Sequence, residues 1–249
     1  MCKLKSAIIL KDRIFMPDYD SHSKMLEELG ITDDYFNASK VFVRAELVPE
    51  NGDVFSDIDA WKLEVDQDIT PEWFDEKDCT ERMRKAVKEW AKTHIFIGQN
   101  GLKISHGENI FIKDCKNVDI YGKATVESIC GKATVENIRG KATVESICDN
   151  ATVERICDNA TVKRIYGNAM VKYIYGNATV NNICDNATVE RICDNVTVIS
   201  SLFTKWSNSA SLIISGNATF KDCYSKTIYQ AGGWKLVEVK KRRRYNETY

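Results

Sequence analysis

The sequence predicts an α+β domain of ferredoxin-like βαββαβ order, followed by a parallel β-solenoid. Two observations predict this division. From Gly122 to about Leu202 the sequence returns to one pattern every nine residues, whereas residues 1–100 carry no repeat. A short fixed period is typical of repeat architectures, in which each unit packs only against its neighbours. We therefore expect the architecture to change near residue 100.

Residues 1–100 combine short apolar strands with two amphipathic helices. Ser21 is suited to cap the first helix and Gly30 to end it, while Asp78 and Glu81 have capping-box spacing in the second. Strands alternating with two helices in this order indicate a ferredoxin-like sheet covered by helices on one face. The strands are expected at residues 6–10, 41–48, 61–65 and 95–97, and the second helix is lined by Met83, Ala86, Val87 and Trp90.

Each nine-residue unit has the pattern of one strand and one corner. Ala stands at the third place, Val at the fifth and Ile at the eighth, with Thr and a charged residue between them. This alternation predicts a strand with one buried face, and β-branched residues suit a pleated sheet. Gly or Asp at the first place tolerates the left-handed backbone of a corner. The units begin at Gly122, Gly131, Gly140, Asp149, Asp158, Gly167, Gly176, Asp185 and Asp194.

One unit is too short to enclose a core by itself. Two units joined at two corners would form an eighteen-residue rung, and rungs stacked about 4.8 Å apart would bury a continuous core. Nine units would then give four to five rungs. A triangular rung of three units is an alternative, but three sets of Ala, Val and Ile would leave a wide interior to fill. We prefer two units per rung.

Stacked rungs place like residues on like. The ninth places would form one column of Cys130, Cys148, Tyr166, Cys184 and Leu202, and a second column of Arg139, Cys157, Tyr175 and Cys193. The second places would form ladders of asparagines, whose amides can hydrogen-bond along the solenoid axis. This structural reason for the repeated asparagines is favoured over a binding role.

The chain therefore divides into five predicted segments. An α+β domain over residues 1–100 is followed by a capping first rung over residues 101–121. The solenoid of nine nonapeptide repeats covers residues 122–202. Irregular rungs and a C-terminal cap are expected over 203–239, and a basic tail over 240–249.

Composition argues against a global attraction to nucleic acid or membranes, because 35 basic residues balance 36 acidic ones. No apolar run is long enough to span a bilayer, and the first residues lack the hydrophobic core of a signal peptide. These features predict a cytoplasmic protein without membrane partners. Five of the nine cysteines are ninth-place residues, and no Cys-x-x-Cys pair occurs. Free thiols are therefore expected, with no metal and no cofactor.

No catalytic constellation is evident. His22, His94 and His106 stand outside any triad or metal-ligand spacing, and no phosphate-binding loop or nucleophile elbow occurs. Four aspartates could converge at strand ends, but no calcium-loop glycine accompanies them; they are Asp18, Asp20, Asp66 and Asp68. A non-enzymatic protein is preferred, although a small enzyme with an unrecognised pocket in residues 1–100 stays open as an alternative.

Three groups of residues are candidates for partner binding. A partly acidic surface would consist of Glu127, Glu136, Glu145, Glu154 and Glu190. Two repeat aromatics, Tyr166 and Tyr175, form the second group. The third is a run of five positive charges, either a solvated tail or an electrostatic arm for nucleic acid or an acidic protein; it consists of Lys240, Lys241, Arg242, Arg243 and Arg244. A protein partner is expected, and a homo-oligomer is a further possibility.

Two segments together resemble an uncharacterised group of proteins from gut bacteria and their phages. One is the opening, with Lys-Ser-Ala-Ile-Ile-Leu-Lys-Asp at residues 5–12 and Met-Leu-Glu-Glu-Leu-Gly at residues 25–30; the other is the Ala-Thr-Val-x-x-Ile array. The resemblance implies a phage or mobile-element setting, hence the cytoplasm of a bacterial host, and no activity. The array is also similar to pentapeptide-repeat proteins and polymerising bactofilins, but it has no five-residue period and is not dominated by acids.

Two functional hypotheses follow beside the enzyme alternative. The first is a binding or assembly protein whose solenoid presents an extended recognition surface. The second is a phage-encoded inhibitor of a host defence or DNA-handling protein, acting through surface mimicry. The second requires a continuous acidic face, which Lys163 and Lys172 would interrupt.

Overall fold

The computed structural model describes residues 5–200, 212–214, 218–222, 227–230 and 235–237. Two compact units make up the chain. The first comprises Met1–Phe96 with Glu108–Phe111, and the second comprises Ile97–Gly107 with Ile112–Tyr249. An N-terminal region of helices and strands and a parallel β-solenoid are both present, as the sequence predicts.

The first unit is built on a four-stranded antiparallel sheet in the order β2-β1-β3-β4. Apolar clusters lie on both faces of this sheet: one packs against the long helix α3, where Trp61, Met83 and Val87 are fully buried. The other contains Met25 and Leu26 of α1, so the expectation that both helices cover one face is wrong. The strands are β1 Lys5–Leu10, β2 Ile14–Phe15, β3 Phe42–Val48 and β4 Lys62–Val65. The α-helices are α1 His22–Glu28, α2 Tyr35–Ala38 and α3 Glu76–His94, and short 3-10 turns cover Glu50–Gly52 and Ile58–Ala60.

Helix starts follow the capping residues. Ser21 caps α1 as predicted, accepting a hydrogen bond from the Lys24 backbone N–H at 3.4 Å. The long helix begins earlier than its capping-box spacing suggests, because Asp75 is the N-cap and its carboxylate accepts from the Asp78 N–H at 2.8 Å. Asp78 instead lies in the first turn, where its charge favours the positive end of the helix dipole.

The sheet of the first unit differs from the ferredoxin-like order. That order would place the final strand, Ile95–Ile97, beside β1. Both edges of β1 are already occupied, since Ile8 and Ile9 pair with the two residues of β2 on one side and the whole strand pairs with β3 on the other. Ile95–Ile97 is instead the edge strand of a solenoid sheet.

The solenoid is a coil of about six turns over residues 95–198. Successive strands alternate between two sheets, which we call the first and second solenoid sheets. The first contains β5 Ile95–Ile97, β7 Ile110–Lys113, β9 Thr125–Cys130, β11 Thr143–Ile147, β13 Thr161–Ile165, β15 Thr179–Val180 and β17 Thr197–Ser200. The second contains β6 Lys103–Ile104, β8 Val118–Ile120, β10 Thr134–Ile138, β12 Thr152–Ile156, β14 Met170–Ile174 and β16 Thr188–Ile192.

Both sheets continue with strands beyond residue 200. Antiparallel pairs end each sheet, β19 with β20 in the first and β18 with β21 in the second. An antiparallel last strand breaks the stacking pattern, as expected where a solenoid must terminate its open edge. These strands are β18 Leu212–Ile214, β19 Thr219–Asp222, β20 Thr227–Gln230 and β21 Lys235–Val237.

The register of the parallel strands explains the nine-residue period. Thr134 pairs with Thr152 and Ile138 with Ile156, so partners in one sheet are two units apart. Each rung thereby lays its apolar residues on those of the rung before. The valines at the fifth place are almost or fully buried from one rung to the next: Val126, Val135, Val144, Val153, Val162, Val171, Val180, Val189 and Val198.

Left-handed backbone at the first place of each unit makes the corner. Gly131 has φ of 65° and Asp149 has φ of 57°, which confirms that these residue types are chosen for the corner. Amide ladders follow at the second place, where Asn186 Nδ2 donates to Asn168 Oδ1 and Asn195 Nδ2 to Asn177 Oδ1, each at 3.2 Å. The asparagines therefore serve the stacking of rungs.

Candidate interaction surface and cysteine corner

The outer faces of the two solenoid sheets carry different rows of side chains. These rows come from the sixth and seventh places of the units, whose side chains point away from the apolar interior. In the first sheet they are Glu127, Glu145, Lys163 and Asn181, beside Ser128, Ser146, Arg164 and Asn182. In the second sheet they are Glu136, Glu154, Lys172 and Glu190, beside Asn137, Arg155, Tyr173 and Arg191.

The five glutamates predicted to form one acidic surface are divided between the two sheets. Glu127 and Glu145 lie on the first, and the other three lie on the second. Two of them are also neutralised across rungs, since Lys163 Nζ lies 2.6 Å from Glu145 and Lys172 Nζ lies 2.7 Å from Glu154. The fold thus disperses the acidic charge.

A compact group of side chains on the second sheet has the composition of a protein interface. Met170 and Tyr173 share the outer face of β14 and expose 40% and 36% of their surface. Tyr173 stands in register between Arg155 and Arg191 on the neighbouring strands. The Arg191 guanidinium lies 5.8 Å from the Tyr173 ring centroid, and Arg155 Nε donates to Asn137 Oδ1 at 2.7 Å. We call Met170, Tyr173, Arg155 and Arg191 the β14 patch.

Met170 and Tyr173 were not among the binding residues predicted from the sequence, although the repeat contains a signal for them. Both depart from the residues that the other units of this sheet carry. Met170 stands where Thr152 and Thr188 stand in the neighbouring strands and where Thr134 stands one strand further along the sheet. Met170 is the one fourth-place residue of the nine units that is not Thr, and Tyr173 belongs to the same unit, so a comparison of the units shows both departures on one strand.

The two repeat tyrosines predicted to contact a partner lie at the corners rather than on the faces. Tyr166 is half-buried, and its hydroxyl hydrogen-bonds Cys148. That bond, together with burial, raises the pKa of Tyr166 to about 12. The Tyr175 hydroxyl makes the equivalent contact with Cys157 and its pKa is raised for the same reasons. Both side chains are therefore engaged in contacts between rungs.

Next to Tyr166, the coil brings two cysteines and an aspartate together. The Sγ atoms of Cys130 and Cys148 and a carboxylate oxygen of Asp149 all lie within 4.8 Å of one another. Each thiol is only 7% exposed. A hydrogen bond from Cys130 lowers the pKa of Cys148 to about 7. A hydrogen bond with Tyr166 lowers this pKa further, whereas burial of the thiol raises it. We call Cys130, Cys148 and Asp149 the cysteine corner.

In the first unit, three of the four predicted aspartates form separate pairs, two of them with histidines. His22 Nδ1 lies 3.3 Å from Asp66 Oδ2, and His94 Nε2 lies 3.5 Å from Asp18 Oδ1. Asp20 accepts from the fully buried Lys5 ammonium at 3.1 Å. Within the part of the chain that the structure describes, these aspartates do not gather into a group of metal ligands. Asp20 is the counter-charge of the buried Lys5 ammonium, which would otherwise be strongly destabilising.

The remaining predicted contact residues, Lys240, Lys241, Arg242, Arg243 and Arg244, lie outside the described residues. The exposed aromatics of the first unit, Tyr35 and Phe36 on α2, are a further surface feature at 74% and 61% exposure. None of the described helices is both long and apolar enough to cross a lipid bilayer.

Comparison of the chain with protein-family models, with curated proteins and with solved structures gives no match in any of the three. The geometry of the chain itself is therefore the evidence for its function.

Proposed function

We propose that this protein is a non-enzymatic binding protein, whose second solenoid sheet engages a protein partner through the β14 patch. The observation that carries the proposal is the pairing of an exposed methionine and an exposed tyrosine on one strand, with an arginine on each side of the tyrosine. Tyr, Met and Arg are enriched at protein interfaces, and Tyr and Arg are frequent among the residues that dominate binding energy.

The solenoid supports this use of the β14 patch because it holds the patch rigidly. Val171 and Ile174 of the same strand are fully buried, so the backbone beneath Tyr173 is fixed by the core. A partner that binds a fixed surface loses less conformational entropy on association than one that must order a loop. Stacked rungs also provide the extended surface that repeat proteins use for recognition.

The chemistry of the β14 patch defines the kind of partner it fits. Its centre is apolar and aromatic, and its sides carry two guanidinium groups. Arg155 donates to an amide and Arg191 lies against an aromatic ring, so neither is neutralised by a carboxylate in the described contacts. A protein segment with an apolar side chain flanked by acidic residues would complement both features.

Affinity capture from a bacterial lysate tests the proposal, with variants that the repeat itself supplies. Met170→Thr with Tyr173→Asn replaces both side chains by residues found at the same places in other strands of this sheet, Thr152 on β12 and Asn137 on β10. The fold should therefore be kept. Loss of a residue that dominates an interface weakens binding by about thirty-fold or more, so the captured partner should be lost.

Arg164→Ser is the matched control, because it changes an exposed seventh-place residue on the first solenoid sheet to the serine of Ser128 and Ser146. Capture should survive this change. A partner that is retained by the Met170→Thr, Tyr173→Asn variant, or lost equally in the control, would refute the proposed binding face.

A further inference from the structure

We infer that the cysteine corner is a binding site for a thiophilic divalent cation of the zinc class. Two sulfurs and one carboxylate oxygen lie within 4.8 Å of one another. Zinc binds thiolate sulfur at about 2.3 Å in tetrahedral geometry, so two sulfur ligands of one ion are about 3.8 Å apart. Small side-chain rotations of Cys130 and Cys148 are enough to bring both sulfurs onto one ion.

The coil creates this adjacency from residues that are distant in sequence. Ile129 and Ile147 are partners in the parallel pair of β9 and β11, so the residues that follow them lie one rung apart at the same corner. Cys130 and Cys148 are those residues, and Asp149 follows directly. Sequence spacing alone gave no sign of a metal site, because metal-binding cysteines are usually recognised by a separation of two to four residues.

The third ligand is held in place by the backbone. Asp149 Oδ2 accepts a hydrogen bond from the Gly131 N–H at 2.9 Å, which orients the carboxylate across the corner. An ionised carboxylate has about four acceptor positions, so this bond leaves others for an ion. Asp149 is exposed while both thiols are buried, so an ion would enter from the side of the aspartate. Solvent on that side would supply a water as fourth ligand, as in open zinc sites.

The chemistry of the donors selects the class of ion. Two thiolates favour soft or borderline cations over magnesium and calcium, which take oxygen ligands. Tyr166 adds an outer contact, since its hydroxyl hydrogen-bonds Cys148. Outer contacts of this kind fix the orientation of a metal ligand.

The cysteine corner differs from the other ninth places because two cysteines lie on adjacent rungs there. Cys193 Sγ donates to the Ile174 carbonyl at 3.9 Å and Cys130 Sγ donates to the Ile112 carbonyl at 3.6 Å, so this weak contact is common to both columns, and a second sulfur alongside is what Cys130 has in addition. At the opposite corner Cys157 lies between Arg139 and Tyr175 in the column, so it has no second sulfur beside it. The two corners thus differ in one feature that the inference requires.

Titration of the full-length, reduced and metal-free protein with Cd²⁺ tests the inference, because cadmium–thiolate bonds absorb in the ultraviolet. One ion per chain is expected at the cysteine corner, displaced by Zn²⁺. Cys130→Ser and Cys148→Ser should each abolish this absorption. Asp149→Asn keeps both the left-handed corner and a hydrogen-bond acceptor, and should weaken binding by about tenfold or more.

Cys157→Ser is the control at the opposite corner and should bind Cd²⁺ as the wild type does. Thermal unfolding with and without Zn²⁺ gives a second measurement: the ion should raise the melting temperature of the wild type and of Cys157→Ser, but not of Cys148→Ser. The inference is overturned if the wild type binds no ion, or if Cys130→Ser and Cys148→Ser bind as well as the wild type. Unchanged affinity in Asp149→Asn would remove Asp149 from the site.

Discussion

At the scale of single residues, the residue at the first place of each unit forms the corner and, where it is Asp, also accepts a hydrogen bond. Gly and Asp both adopt the left-handed backbone of the corner, and Asp also supplies an acceptor to the rung before it. Asp149 accepts from the Gly131 N–H at 2.9 Å, and Asp185 accepts from the Gly167 N–H at 3.1 Å. In the column that contains Asp149 and Asp185, Gly and Asp alternate from rung to rung. The two carboxylates are therefore two rungs apart, about 9.6 Å. Alternation therefore limits their mutual repulsion.

Asp158→Ala tests this account of the corner. Asp158 has φ of 59° and accepts from the Gly140 N–H at 3.0 Å. Alanine in the left-handed region costs about 1–2 kcal/mol and has no acceptor, so the free energy of unfolding should fall by about that amount. Asp158→Asn keeps both properties and should change stability by less than about 0.5 kcal/mol. Denaturant unfolding measures both; equal losses in the two variants would contradict the account.

The corner residues could be predicted because their task is local. A left-handed backbone angle depends on the residue itself, so the repeated Gly or Asp indicates the corner directly. The β14 patch and the cysteine corner depend on which rung lies beside which. Tyr173 becomes a candidate binding residue because Arg155 and Arg191, each eighteen residues away, lie on either side of it. Only the register of the strands shows that these residues are neighbours.

At the scale of elements, parallel strands of few residues are stable because every rung buries the same places. Val153 is fully buried in β12 and is in register with Val135 in β10 and Val171 in β14. Burial of one such side chain contributes about 1.5–3 kcal/mol. A solenoid is close to one-dimensional, so a defect in one rung acts mainly on its neighbours.

Val153→Asp should therefore unfold the array around β12. An unpaired carboxylate inside the stack costs several kcal/mol, about 3 or more. Hydrogen exchange should rise in β10, β12 and β14. Thr152→Asp places the same charge one residue earlier on the outer face and should have a small effect, since Thr152 is half-exposed. Similar exchange in the two variants would show that the fifth place is not the interior of the solenoid.

In the first unit, the positions of the strands could be predicted from the sequence, but the order in which they pair could not. Alternation correctly located the strands now seen as β1, β3 and β4. The pairing order was wrong on both sides of β1: a strand of only two residues, Ile14–Phe15, occupies one edge, and β3 occupies the other edge, where the ferredoxin-like order places the third predicted strand. So short a strand leaves no periodic pattern in the sequence, and alternation locates strands without saying which of them pair.

At the scale of the whole molecule, the basic run at Lys240–Arg244 is the candidate site predicted for nucleic-acid binding. Five charges without aromatic stacking should give only weak binding, with a slope of about −3 to −5 in log affinity against log salt. Deleting residues 240–249 should remove this binding and leave protein capture unchanged. Fluorescence anisotropy of a labelled DNA duplex at several salt concentrations measures it. Binding that persists after the deletion would assign it to another part of the chain.

Two surfaces of the molecule compete as the docking site for a protein partner. The β14 patch has two apolar residues on a rigid sheet, flanked by arginines. Tyr35 and Phe36 are more exposed, at 74% and 61%, but they lie on a helix of only four residues. The Lys40 ammonium also lies 4.5 Å from the Phe36 ring centroid. Rigidity and arginine content favour the β14 patch.

Hydroxyl-radical footprinting of the protein alone and in complex with its captured partner tests this choice most directly, because methionine and aromatic side chains are readily oxidised. We expect Met170 and Tyr173 to be protected in the complex, while Tyr35 and Phe36 are oxidised as in the free protein. Protection of Tyr35 and Phe36, with Met170 and Tyr173 unchanged, would contradict the claim that the solenoid face binds the partner.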